Sequence, residues 1–121
     1  MRQFMLILRE NPQDFAQVTP DEMQRIIERY SAWSEALAGR GRLVDGIKLQ
    51  EEGGRVMSRT GGKTRVTDAA YAEAKEVIGG VFIIRAEDYD EAVQLAEDCP
   101  HLEHGTISVR EVHDLSGARA E

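Results

Sequence analysis

Three groups of residues have types and spacings that could do chemistry. Cys99, His101 and His104 fall within six residues. A thiol and two imidazoles are metal donors, but these short gaps match no zinc pattern and no second pair accompanies them, so no metal is expected. His101 directly follows Pro100, and two uses compete for it: a cation favoured by the dipole at a helix C-terminus, or a group that handles a proton. Asp68, Tyr71, Glu73, Lys75 and Glu76 form the second group. A carboxylate beside a lysine can exchange a proton when burial tunes the pair, whereas in water the same residues are ordinary loop charges. The third group, Gly62-Lys63-Thr64, has the end of a P-loop, but the first glycine of that motif would fall at position 57, where Met57 stands. Nucleotide binding through that loop is therefore excluded. No serine occupies a glycine elbow with a histidine and an acid to match, so a hydrolase triad has no support.

A scaffold that could position these groups is visible in the apolar pattern. Phe4 to Leu8 is a continuous apolar run of strand length, closed by Arg9, Glu10 and the turn pair Asn11-Pro12. Thr19-Pro20-Asp21-Glu22 supplies an N-cap, a proline at the first helical position and a glutamate three residues after the threonine, so a helix starts there. Met23, Ile26, Ile27, Tyr30, Trp33 and Leu37 recur at steps of three and four on one face, and Gly39 and Gly41 end the helix. Tyr30 and Trp33 read first as core, and their polar tips could line a pocket between helix and sheet. Leu43 to Leu49 reads as a strand, Arg55 to Thr67 as a hairpin turning at Gly61-Gly62, and Val81 to Ala86 as another strand. Asp88 with Glu91 caps a short helix whose face is Ala92, Leu95, Ala96 and Cys99, ended by Pro100. Ile107 to Val112 reads as a half-exposed last strand.

Residues 3–49 and 80–112 thus repeat one plan: strand, capped helix, glycine, strand. Two such units make the split βαβ of a ferredoxin-like α+β fold, with the first and third strands central and the hairpin inserted between the units. Both helices then cover the same face of the sheet. Yet Phe4, Leu6 and Leu8 point one way and Met5 and Ile7 the other, while Val81 and Ile83 oppose Phe82 and Ile84. At about 25 cal/mol per Å², leaving the second apolar face in water forfeits several kcal/mol, a large share of a small domain's stability. A second copy of the chain is the expected cover, in a symmetric homodimer, with the inserted hairpin as the alternative.

At 121 residues the chain has room for one domain, expected to span 1–121 with a core of about 3–113 and a short tail, 114–121. Its 41% hydrophobic and 31% charged residues are a globular balance. The longest apolar run is far short of the roughly 20 residues that cross a bilayer, and no signal peptide or membrane partner is expected. Cys99 alone cannot form an internal disulfide and fits a reducing compartment, so the expected location is cytoplasmic. A net charge of -7 argues against nucleic acid as a partner. The charge is uneven: residues 1–67 carry 11 Lys/Arg and 9 Asp/Glu, residues 68–121 carry 4 and 13. Arg55, Arg59, Lys63 and Arg65 lie in the hairpin with no acid among them between Gly53 and Thr67. They either attract a small anion or, the favoured reading, discourage edge-to-edge strand pairing.

Thr67-Asp68-Ala69-Ala70-Tyr71-Ala72-Glu73-Ala74-Lys75-Glu76, followed by Gly79-Gly80 and an apolar strand, resembles the Asp-Gly-Pro-Phe signature of YCII-related proteins. Asp90-Glu91-Ala92, Cys99-Pro100-His101 and Ser108-Val109-Arg110-Glu111-Val112 resemble the same family, so the likeness covers most of the chain. Ala69 and Ala70 stand where the signature has Gly-Pro. The resemblance implies a dimeric α+β barrel of ferredoxin-like type and adds little about activity. Some members carry a His–Asp pair with the histidine in the first helix; here no histidine precedes His101, and Tyr30 lies near the corresponding place. The leading expectation is a homodimer that binds an undetermined small molecule, with anions among the candidates, near Tyr30, Trp33, Asp68, Tyr71 and Lys75. The alternative is a cofactor-independent lyase or isomerase with Asp68 or His101 as acid/base and Tyr30 or Lys75 steadying charge. A regulatory protein-interaction module comes third.

Overall fold

The structure, a computed structural model, describes residues 1–15, 17–50, 54–68 and 76–114. Among the described residues, six strands and two α-helices follow one another: β1 (Arg2–Glu10), α1 (Pro20–Gly39), β2 (Leu43–Lys48), β3 (Arg55–Thr60), β4 (Lys63–Asp68), β5 (Val77–Ala86), α2 (Tyr89–Ala96) and β6 (Gly105–Glu111). Short 3-10 helices occupy Pro12–Phe15 and Pro100–Glu103. Strands β2, β5, β1 and β6 form one antiparallel sheet in that order, and β3 pairs with β4 in a separate hairpin. The first strands of the two βαβ units are therefore the central pair, as a split βαβ requires. The fold is α+β and ferredoxin-like with an inserted hairpin.

Both helix starts are built by capping. The Thr19 hydroxyl accepts a hydrogen bond from the Glu22 amide at 3.2 Å, and the Asp88 carboxylate accepts one from the Glu91 amide at 2.9 Å, satisfying donors that a helix N-terminus leaves open. In the hairpin, Gly61 and Gly62 have φ of 58° and 79°, the two positive values that a two-residue turn matched to strand twist demands.

The core lies between the helices and one face of the four-stranded sheet. Phe4, Leu6 and Leu8 of β1 and Ile84 and Ala86 of β5 meet Trp33 and Leu37 of α1 and Ala92, Leu95 and Ala96 of α2. The Trp33 ring meets Phe82 edge-on with centroids 5.0 Å apart. On the opposite face, Met5 pairs with Ile83 and Ile7 with Val81 in the central register, and none of these four is buried. The hairpin does not bury them: all twelve residues of β3 and β4 are themselves exposed.

Three strands are longer than their apolar runs predict: β1 extends from Arg2 to Glu10 beyond Phe4–Leu8, and β5 and β6 both start earlier. β5 begins at Val77 rather than Val81, because Gly79-Gly80 lie within the strand instead of ending a loop. Leu8 pairs with Gly80 and Arg9 with Ile78, which leaves Gly79 as the extra residue of a bulge. A Cβ on Gly79 would collide with the Glu10 carboxylate, so glycine lets that side chain lie across the strand. β6 begins at Gly105 for a related reason: a Cβ there would strike the Arg9 carbonyl of the neighbouring strand.

Candidate functional site

The N-terminal half of α1 stands off the sheet over a cavity of about 460 Å³. Met23, Ile26 and Ile27 of α1 face Leu8, Leu43 and Phe82 of the sheet across it. Gly46 and Gly80, paired with Phe82 and Leu8, also line it, and a Cβ on Gly46 would strike the Phe82 ring that forms part of the wall. The polar groups at the wall are Glu10 at the end of β1, Tyr30, Ser31 and Ser34 of α1, Lys48 at the end of β2, and His101. Mostly apolar walls with a few convergent polar groups are the usual make-up of a small-molecule site.

Tyr30 and His101, 71 residues apart in the chain, meet at this wall: the Tyr30 hydroxyl lies 2.8 Å from His101 Nδ1. His101 is 1% exposed, and its Nε2 lies 2.8 Å from the Arg9 carbonyl oxygen. A carbonyl can only accept, so Nε2 carries a proton and donates it there. Gly105 makes that bond possible, since a Cβ at this position would also sit 2.9 Å from Nε2. The 3-10 helix that carries His101 is tied to α1 by an ion pair between Arg29 and Glu103, one residue and two residues from the meeting pair. Burial, together with the nearby Cys99 thiol and Glu10 carboxylate, pushes the Tyr30 phenol well above its ordinary range, so it remains a protonated hydroxyl at neutral pH. Burial likewise raises the Cys99 thiol, which keeps it un-ionised and a poor nucleophile.

Of the residues singled out in the sequence, the structure brings Tyr30 and His101 together at the cavity. His101 is not at the C-terminus of a capped α-helix as one reading had it: α2 stops at Ala96, and Pro100 opens a new 3-10 turn that aims the imidazole inward. Trp33 is 9% exposed and packs in the core, its indole N–H 3.3 Å from the Leu95 carbonyl, and it is not a lining residue. Asp68 ends β4 in the hairpin, 3.6 Å from Arg55, and does not line the cavity either. Tyr71 and Lys75 lie outside the described residues. Glu10, Lys48, Ser31 and Ser34 were not singled out from the sequence. The one available signal was positional: Glu10 closes the first strand. In the sheet its backbone pairs with Val77 and its side chain lies against Gly79. Among the described residues, no three His, Cys, Asp or Glu side chains converge as a metal site. No described helix is long and apolar enough to cross a membrane.

Among solved structures, the chain is similar to a 5-chloro-2-hydroxyhydroquinone dehydrochlorinase from Burkholderia phenoliruptrix AC1100, in complex with 2,5-dihydroxybenzoquinone. The identity is 19% and the TM-score 0.45, over 92% of this chain and 93% of that one. No curated protein matches the sequence. The model of the YCII-related domain matches residues 2–116, nearly the whole length, and the chain belongs to that family.

Proposed function

We propose that the protein is a homodimer that binds a small, largely apolar molecule in the cavity under α1, with the molecule's polar end at Tyr30. The observation that carries this reading is the meeting of Tyr30 and His101 at the wall of a cavity whose other walls are Met23, Ile26, Leu8 and Phe82. Buried polar pairs cost free energy to assemble, and one placed at a cavity wall earns its place by orienting a ligand. The dimer rests on the second sheet face, where Met5, Ile7, Val81 and Ile83 form an apolar centre that is only half-buried. The reading is tested by an NMR fragment screen. Shifts should cluster at Ile27, Tyr30 and Lys48, and Ser34→Trp, which fills the cavity, should abolish them; shifts scattered over the surface would sink it. Sedimentation should return twice the monomer mass, and Ile83→Asp should halve it.

The same hydrogen bond favours a second reading, a cofactor-independent lyase or isomerase in which His101 accepts or returns a proton through Tyr30. Turnover of any substrate found would then fall by about 10²-fold or more in Tyr30→Phe. Unchanged turnover in both Tyr30→Phe and His101→Ala would remove this pair from the chemistry.

A further inference from the structure

Resting on the cavity reading, we infer that the ligand must present a hydroxyl proton to Tyr30: the site selects neutral hydroxyl compounds on an apolar skeleton over ethers, ketones and carboxylate anions of the same shape. The argument is one of donor and acceptor counting. The Arg9 carbonyl fixes the proton of His101 on Nε2, so Nδ1 of the neutral ring offers only a lone pair. The Tyr30 hydroxyl has one proton, and at 2.8 Å from Nδ1 that proton is committed to the imidazole. What Tyr30 turns toward the cavity is therefore oxygen lone pairs. A ligand with a hydroxyl completes the chain from ligand to Tyr30 to His101 to Arg9, every donor matched to an acceptor. At Tyr30 an ether, ketone or carboxylate oxygen would set lone pair against lone pair; the Lys48 ammonium and the Ser31 hydroxyl elsewhere on the wall are donors, so the selection is made at Tyr30 and not by the wall as a whole.

Gly105 belongs to the same arrangement. Its missing side chain is what allows Nε2 to reach the Arg9 carbonyl, and without that contact either ring nitrogen could carry the proton. The wiring also sets what could follow binding. The ligand O–H bond breaks as a Tyr30 O–H bond forms, and the former Tyr30 proton joins Nδ1. The result is an oxyanion, a neutral phenol and an imidazolium, with no proton gained or lost.

The test uses the whole protein and three probes of one shape: 2-naphthol, 2-methoxynaphthalene and 2-naphthoate, titrated by calorimetry at mildly alkaline pH. The naphthol should bind about tenfold or more tightly than either of the others, and Tyr30→Phe should bring the naphthol and its ether within about threefold. Nitrogen-15 NMR of the free protein should find His101 neutral with its proton on Nε2. Equal binding of all three probes to the wild type, each abolished by Ser34→Trp, would overturn the inference while leaving the cavity reading standing. Persistent selectivity in Tyr30→Phe, or an Nδ1–H or doubly protonated His101, would also overturn it. If no probe binds, the inference fails together with the reading beneath it.

Discussion

The two helices lie on the same sheet face and carry similar apolar periodicity, yet one seals its ground and the other roofs a cavity. α2 is short and presents alanines: Ala92 is fully buried, Ala96 and Leu95 nearly so, and Tyr89 at its head stacks edge-on against Phe4 with centroids 4.9 Å apart. α1 presents Met23, Ile26, Ile27 and Tyr30 over its first half, and Ile27 is 47% exposed; only Trp33 and Leu37, farther along, are buried. The strands beneath differ as well. Where α1 begins, the sheet offers Gly46 and Gly80; a Cβ on Gly46 would strike the Phe82 ring and one on Gly80 the Ile47 carbonyl, and the Phe82 ring is part of the floor there. Small residues let α2 bury its face against the sheet, while the larger residues in the first half of α1 border the cavity. A site can thus be made by where packing is withheld.

The contrast can be broken by mutation. Phe4→Ala, in the ground shared with α2, should cost about 3–5 kcal/mol, whereas Ile27→Ala at the cavity should cost under about 1 kcal/mol. Urea denaturation midpoints decide, and equal losses would show that the two halves are packed alike. Enlarging a residue sharpens the comparison: Ala92→Leu should destabilise by about 1–3 kcal/mol through overpacking, while Ser34→Leu, with free volume before it, should stay within about 0.5 kcal/mol of the wild type. The smallest effect is alkaline. A phenol in the unfolded chain ionises near pH 10, and that of Tyr30 resists ionisation in the native state, so its contribution is fully present below about pH 10 and is lost as the pH rises above it. Tyr30→Phe should flatten this limb of the stability profile and leave its slope below pH 10 unaltered; superimposable alkaline limbs would mean the hydroxyl is as hydrated as in the unfolded chain.

Much of the scaffold was legible in advance because its signals are local. Thr19 and Asp88 cap the helices they were expected to cap, the Gly61-Gly62 turn lies where two adjacent glycines ask for positive φ, and apolar residues on both faces of Phe4–Leu8 and Val81–Ile84 mark the central strands. The site was far less legible. Tyr30 and His101 each drew notice, but nothing in their spacing joins a mid-helix tyrosine to an imidazole 71 positions later. Helical periodicity reports which face turns inward and not how far the helix stands from the sheet, so Ile26 and Trp33 looked equivalent though one borders a void and the other fills the core. Gly-Gly before an apolar run reads as a loop end, and only the strand register reveals it as a bulge that seats Glu10.

The solvent-exposed β3–β4 ribbon has a bearing on the chain's covalent continuity. It joins two βαβ units whose strands alternate in the sheet, β2 and β1 flanking β5 and β5 and β6 flanking β1, so each unit grips the other on more than one edge. A peptide bond cut at Gly61-Gly62 would sever the backbone at a loop tip that no core contact depends on. The fragments on either side would remain clasped by the main ladder, which makes this tip a natural place to divide the molecule into two complementing pieces.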